Sequence, residues 1–357
     1  MHGTMHRSSR LYINTLSTSW SSSQAPLPNI HTPPPFIPTM SQLLVVIGAT
    51  GSQGRAVISW FQQHSPNVKL RGLTRNPSSE ASSNLAKTGV DIVKADLNDL
   101  DSLKRAFKDA TYIFAYTDFQ TILQSPQVMR RFQNGELKAP IGAAAFDIEV
   151  RQGKNVAEAA ATVPNLERLV WSTLPHVREL SGGKYTQVFH FDSKAVVLDY
   201  MLQVPELRGK VSSVLMGGFL SNFVSMDLFK LRLVDGTAVL RCLFREDGPF
   251  PLVDVEKDTG AFVKALIDAP APRHLLGASE TLSMAQFLAL FSEETGISSR
   301  YERTPDEEMT KDDVTGLGRE FLETFKFAEE FAYTGDTEAL LPEDVSCHSL
   351  LQLRVGS

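Results

Sequence analysis

Three glycines spaced three residues apart, in Gly48-Ala49-Thr50-Gly51-Ser52-Gln53-Gly54, are where this sequence is best equipped to meet phosphate. The segment follows the apolar run Leu43–Ile47 and opens an amphipathic stretch, so it reads as a strand-to-helix turn. Gly48 permits a tight turn, Gly51 lets the backbone approach a pyrophosphate, and Gly54 allows the helix to pack close to the strand. Thr50, Ser52 and Gln53 complete the turn, and the free amides of the first helical turn would receive the anion. A mononucleotide P-loop is excluded because no Gly-Lys-Ser/Thr follows. The chemistry implied is dinucleotide binding, against the blander reading of a tight turn with no ligand.

The choice of dinucleotide rests on an absence. Folds that prefer NAD place an Asp or Glu about 20 residues on, at the end of the second strand, to bind the ribose 2′-hydroxyl. Here the first acidic residue of the whole chain is Glu80, and the second strand ends in Thr74-Arg75-Asn76. Arg75 offers a planar, permanently charged fork suited to a 2′-phosphate, and Thr74 and Asn76 can add hydrogen bonds. NADP(H) is therefore expected; the competing reading of Arg75 is a solvated surface side chain.

The elements that must position these residues follow an alternating strand–helix pattern. After the turn, Arg55–Gln63 places Val57, Ile58, Trp60 and Phe61 on one helix face; strands follow at Val68–Leu73, Val90–Lys94 and Tyr112–Tyr116, with a helix near Leu100–Phe107. Residues 118–148, with Pro126, Gly135, Pro140 and Gly142, read as an irregular inserted loop or lid. A helix is expected over Glu149–Val163, a strand over Arg168–Ser172, a long helix over Gln187–Leu202 and a strand over Lys210–Met216. Short strands near 238–242 and 251–255, helices near 256–268 and 283–295, and an acidic, largely helical tail over 300–345 complete the chain. The fold class is α/β: a Rossmann-type doubly wound parallel sheet over residues 41–217, with a smaller C-terminal α+β portion over 218–357 that closes over the strands' carboxyl ends and could cross back.

Bulk properties narrow the class. A chain of 357 residues, 42% hydrophobic, can bury a large core. Its net charge of −6 offers no basic excess for direct nucleic-acid binding, and no apolar run reaches the roughly 20 residues of a membrane span. Cys242 and Cys347 stand far apart without partners at metal spacing, so no metal site is expected and both read as inert thiols of a reduced compartment. Residues 1–40 are rich in Ser, Thr and Pro, carry Arg7 and Arg10 and lack acids. They are expected to be disordered. A plain tail, a mitochondrial transit peptide and sequence upstream of a start at Met40 all fit. The cytoplasm is the default location, with the nucleus open, or the mitochondrion if residues 1–39 are a transit peptide.

Several further motifs occur in a fixed order: Thr74-Arg75-Asn76-Pro77, Ala95-Asp96-Leu97 with Asp99, Thr117-Asp118-Phe119, Gln152-Gly153-Lys154-Asn155, His190-Phe191-Asp192-Ser193-Lys194 and Gly217-Gly218-Phe219-Leu220-Ser221-Asn222-Phe223. With the glycine turn, they make the chain from Leu43 onward resemble the NmrA-like family of atypical short-chain dehydrogenases/reductases, with its HSCARG-type and isoflavone-reductase-like branches. The resemblance implies that Asp96 and Leu97 lie near the adenine and Thr117 near the nicotinamide ribose. It implies that Lys194 contacts that ribose or the nicotinamide, and that the segment holding Gly217 and Asn222 flanks the nicotinamide. Where members of the family often have Pro-Gly-Phe, this chain has Met216-Gly217-Gly218. Typical short-chain dehydrogenases place a Tyr four residues before the Lys, on the same helix face, to pass a proton as hydride moves. At that position stands His190; Tyr185 and Tyr200 are off by spacing, and Ser172 or Thr173 could supply the orienting hydroxyl. An imidazole could do the tyrosine's work. Two readings result: an NADP-linked oxidoreductase of a small carbonyl, imine or alkene, with Lys194 or His190 supplying the proton, or a non-catalytic NADP(H) sensor regulating a protein partner such as a transcription factor. The acidic helices between Arg300 and Glu343 would suit a basic partner, or are a solvated face.

Overall fold

The computed structural model describes residues 42–226, 228–335 and 337–345. The stretch 1–40 and Cys347 lie outside the described residues. The main chain runs β1 (Leu43–Val46), α1 (Ser52–His64), β2 (Lys69–Thr74), α2 (Glu80–Lys87), β3 (Asp91–Lys94), α3 (Leu100–Ala106), β4 (Tyr112–Ala115), α4 (Phe119–Leu123), α5 (Pro126–Gln133), α6 (Gly142–Ala161), β5 (Arg168–Thr173), α7 (Val177–Leu180), α8 (Phe189–Gln203) and β6 (Val211–Met216). It continues through β7 (Gly218–Phe219), α9 (Asn222–Ser225), β8 (Leu231–Val234), β9 (Thr237–Cys242), β10 (Phe250–Val253), α10 (Val255–Asp268), β11 (His274–Gly277), β12 (Glu280–Leu282), α11 (Met284–Thr295), β13 (Ser299–Arg303), α12 (Asp306–Thr310) and α13 (Leu317–Phe331).

Seven strands form one parallel sheet in the order β11-β6-β5-β4-β1-β2-β3. The chain winds outward in both directions from β1 and β4, which makes the gap beyond their carboxyl ends the topological switch point. Every residue of β1 is buried because both sheet faces are covered. Val45 and Ile47 point to one core, with Phe107, Trp171, Val197 and Met201. Leu44 and Val46 point to the other, with Ile58, Phe61 and Phe262. On that second face α1 and α10 pack closely: a β-carbon on Gly260 would overlap the Cβ of Trp60. Two three-stranded sheets, β12-β10-β7 and β13-β9-β8, surround a third, aromatic core with Phe244, Phe325 and Phe327. The expected Rossmann-type sheet with a smaller C-terminal portion is thus present. The chain crosses back into the main sheet after residue 218, through β11.

Several local expectations need correction. Residues 118–148 are not an irregular loop: they form α4, α5 and the first seven residues of α6. Asp118 and Ser125 cap α4 and α5 by accepting from Thr121 N and Val128 N, and Pro126 occupies the first turn of α5, where its missing N–H costs nothing. The acidic tail is not mainly helical at its start, since Ser299–Arg303 pairs with β9. Helix α2, absent from the sequence reading, is started by Ser79, which accepts from Ser82 N. Among the described residues no helix is long and apolar enough to cross a membrane. Cys242 is buried, and burial pushes its thiol up to about 11, which fits an inert thiol.

Candidate functional site

A cavity of about 410 Å³ opens at the switch point, lined by the ends of β1, β2, β3 and β4. Gly48, Thr50, Gly51, Thr74, Arg75, Asn76, Asp96 and Leu97 all line it, together with Tyr116, Asp118 and Gln152. A larger hollow of about 960 Å³ lies at the opposite ends of the strands, against Leu43, Lys69 and Asp91, and holds none of the expected residues. Doubly wound sheets bind at their carboxyl ends, which makes the smaller cavity the candidate site.

Gly48 has φ +63°, and its carbonyl accepts from Gly51 N at 2.8 Å. A β-carbon on Gly54 would overlap the Gly48 carbonyl, so the third glycine lets α1 start directly on the turn. Gly51 is the N-cap of α1 and has no side chain to satisfy the first-turn amides. The phenol of Tyr116 fills this cradle instead. It donates to the Gly48 carbonyl at 3.1 Å, accepts from the Gly54 amide, and occupies the space a β-carbon on Gly51 would need. Burial and the nearby Asp118 carboxylate raise the pKa of that phenol, so it stays a neutral hydroxyl at physiological pH.

At the end of β2, Thr74 Oγ1 accepts from Asn76 N at 3.2 Å, and Asn76 Oδ1 accepts from Ser78. These bonds hold the strand-to-helix turn while the Arg75 side chain stays exposed, with no hydrogen bond or ion pair among the described residues. At the end of β3, Asp96 Oδ1 accepts from Asn98 N at 2.8 Å and so shapes its own loop. Asn155 Nδ2 donates to Leu97 O at 2.8 Å, and Gln152 donates to Asn98 at 3.3 Å. The Gln152-Gly153-Lys154-Asn155 motif therefore pins the β3–α3 loop to α6. Its glycine sits where a β-carbon would strike Val197 of α8. At the end of β4, Thr117 is 3% exposed and its Oγ1 has no hydrogen-bond partner; the same is true of the buried Gln53 Oε1. Buried polar atoms in folded proteins are nearly always paired, so the open Thr117 hydroxyl, between Tyr116 and Asp118 of the lining, is a candidate ligand contact.

The other expected residues stand outside the cavity lining. Gly217 N donates to Gly277 O at 3.0 Å, and a β-carbon on Gly217 would press on the Pro251 carbonyl; Asn222 begins the short α9. Ser52 and Gln53 start α1 beneath the turn.

His190 and Lys194 lie one turn apart on α8, and each is held by a buried carboxylate. Lys194 Nζ is 2.5 Å from Oε1 of Glu149, on α6, which is fully buried and whose other oxygen accepts from the Ser193 hydroxyl. Trp171 Nε1 donates to the Lys194 carbonyl at 3.0 Å, tying α8 to β5. Glu320 Oε1 receives both the His190 backbone amide, at 3.0 Å, and His190 Nδ1, at 2.6 Å. Glu149, Glu320 and Tyr116 escaped the sequence reading. Glu149 was read only as the start of a helix, and Glu320 as part of an acidic tail facing solvent or a partner. Both point inward, at 0% and 2% side-chain exposure. An acid on an otherwise apolar helix face is a signal that could have flagged Glu149.

Comparisons with known proteins identify the family. A model of the NmrA-like family matches residues 40–348. The chain belongs to the NmrA-like family. Similar proteins include the NmrA-like family domain-containing oxidoreductase cpsB of Aspergillus campestris, 27% identical over 301 residues, covering 80% of this chain and 81% of that one. FrzB of Cladobotryum sp, with the same family description, is 25% identical over 338 residues, covering 88% and 91%. Among solved structures, the NmrA negative transcriptional regulator in complex with NADP superposes with a TM-score of 0.64 at 20% identity, covering 87% of this chain and 91% of that one. An NADPH-dependent quinone oxidoreductase from Escherichia coli, in complex with NADPH, gives 0.58 at 16%, covering 82% and 92%. At these identities the two structures establish a shared fold.

Proposed function

We propose that this NmrA-like protein binds NADP(H) at the switch-point cavity and uses it to reduce or oxidise a small carbonyl, imine or alkene. The observation that carries the reading is the pair of side chains on α8: an imidazole and an ammonium one turn apart, each fixed by a buried carboxylate. Fixed donors of that kind suit proton transfer in a preorganised site. The relatives described as oxidoreductases point the same way.

The cofactor fits the residues present. The first-turn amides of α1 and the glycine cradle would take the diphosphate, with the Tyr116 hydroxyl yielding the Gly54 amide it now holds. Arg75, Thr74 and Asn76 would take the 2′-phosphate, Asp96 and Leu97 the adenine side, and the unpaired Thr117 hydroxyl a ribose oxygen. Lys194 spends one of its ammonium hydrogens on Glu149 and keeps others for the nicotinamide ribose. Gly217 and Asn222 would flank the nicotinamide. When bound, NADP(H) supplies the hydride-transfer chemistry.

Turnover is the test. Purified protein with NADPH and a panel of ketones, enones and imines is expected to oxidise NADPH, followed by its near-ultraviolet absorbance, with at least one of them. A panel that stays blank while NADPH binds tightly would overturn the enzyme reading. It would favour the second reading, a non-catalytic NADP(H) sensor acting on a protein partner, whose support is the structural likeness to a transcriptional regulator that binds NADP.

A further inference from the structure

The proton donor of the proposed reaction can be narrowed to one atom. Lys194 is engaged by a fully buried carboxylate, whereas the ring of His190 is held at one nitrogen only. Glu320, in the first turn of α13, is 2% exposed, and its Oε1 sits 2.6 Å from Nδ1. That same Oε1 already accepts from the His190 backbone amide, so it faces Nδ1 as an acceptor; Nδ1 carries hydrogen and Nε2 is left to exchange a proton. Nε2 has no hydrogen-bond partner among the described residues, and the side chain is 20% exposed.

The ring cannot readily turn over. Phe191, Phe119 and Phe321 surround it at centroid distances of 4.8, 5.9 and 5.9 Å. The carboxylate is equally fixed. The same Oε1 accepts from the His190 amide in the first turn of α8, and Oε2 lies against Gly142 at the start of α6, where a β-carbon would sit 2.5 Å from it. Both helix ends present positive partial charge to it. Oε2 is buried without a partner, an arrangement that costs stability.

We propose that Glu320 is a positioning residue that fixes His190 as the Nδ1–H tautomer and thereby makes Nε2 the proton-transfer atom, with Lys194 confined to binding the cofactor. This rests on the oxidoreductase reading. In the reducing direction, the substrate carbon gains the hydride that NADPH loses on becoming NADP⁺. The substrate oxygen gains the proton from Nε2 of the imidazolium; that N–H bond breaks, an O–H bond forms, and the neutral imidazole keeps its Nδ1 hydrogen on Glu320 until solvent reprotonates Nε2.

The test combines nitrogen NMR of histidine-labelled protein with kinetics. The chain has eight histidines, and the His190 signals are assigned by their loss in His190→Gln. The wild type is expected to show neutral His190 protonated at Nδ1, and Glu320→Ala to shift it toward the Nε2–H form usual for free imidazole. Glu320→Gln keeps the shape and the acceptor oxygen but removes the negative charge that balances the imidazolium formed in the cycle, so it serves if the alanine variant does not fold. It is expected to lower kcat by about 10- to 100-fold, within the range of general acid–base effects, with KM and NADPH affinity little changed. A wild-type ring protonated at Nε2, or a Glu320→Gln enzyme with wild-type kcat, would overturn this role alone. A wild type that shows the Nδ1–H form but oxidises no NADPH with any substrate would overturn the oxidoreductase reading, and this role with it.

Discussion

Lys194→Met is expected to destabilise the protein by about 3–5 kcal/mol, the usual cost of stripping the partner from a buried charge. Glu149 is fully buried, and the Ser193 hydroxyl is the only other hydrogen-bond donor on its carboxylate among the described residues. A hydroxyl cannot replace the ammonium, so removing Lys194 leaves an anion in the interior between α6 and α8. Denaturant unfolding measures the effect. Lys194→Met combined with Glu149→Gln removes both charges and is expected to recover most of the loss, because replacing a whole buried pair is often close to neutral. A single variant within about 1 kcal/mol of wild type would show that water reaches Glu149 or that the pair is already loose. The double variant also separates two roles. If stability returns while NADPH binding stays weak, Lys194 acts on the cofactor as well as on the fold.

Arg75→Ala is expected to weaken NADPH binding by about 10- to 100-fold, the scale of one or two hydrogen bonds to a charged group, and to leave NADH binding nearly unchanged. The argument has three parts. No carboxylate stands at the end of β2 to receive a ribose 2′-hydroxyl. Thr74 and Asn76 use their side-chain oxygens to shape the turn and can add only neutral donors, so Arg75 brings the charge. The Arg75 guanidinium is exposed at the mouth of the cavity and is not tied down by an acid. No ion pair must break before it meets a phosphate, and substitution should leave thermal stability near wild type. Equal loss for both nucleotides, measured by calorimetric titration, would mean that Arg75 supports the site in general and does not read the 2′-phosphate.

The fold was legible in the sequence wherever a segment was long or punctuated. The buried run Leu43–Ile47, the glycine turn and the long helix Gln187–Leu202 announced themselves by period and by turn residues. What escaped were short elements whose identity is set by partners. β11, four residues long, has no readable period and is a strand because β6 pairs with it. Helices α2, α4 and α5 are too short to show a period, and their starts are set by the side chains of Ser79, Asp118 and Ser125. Proline and glycine in 118–148 suggested a loop, yet Pro126 begins a helix and Gly142 begins α6 against Phe189.

The site divides along the same line. The proposed cofactor side could be read because local motifs at the strand ends encode it; Gly48, Gly51, Arg75 and Asp96, from three separate strand ends, meet at one cavity. The proposed catalytic side could not, because Glu149 lies 45 residues before Lys194 and Glu320 lies 130 after His190. Nothing local in either acidic stretch says which carboxylate turns inward. Tyr116 was hidden for another reason: as the last apolar residue of β4's run it read as strand, and only the backward fold of its ring onto Gly48 and Gly54 gives it a part in the site.

The central claim, an NADP(H) site at the carboxyl ends of β1 and β2, is tested most directly by calorimetric titration of the wild-type protein with NADPH and NADH in parallel. The account predicts saturable binding of NADPH at least about tenfold tighter than NADH, the difference of roughly 1.4 kcal/mol being well within reach of one charge-assisted hydrogen bond. Equal affinity for the two nucleotides, tighter binding of NADH, or no heat with either would contradict it.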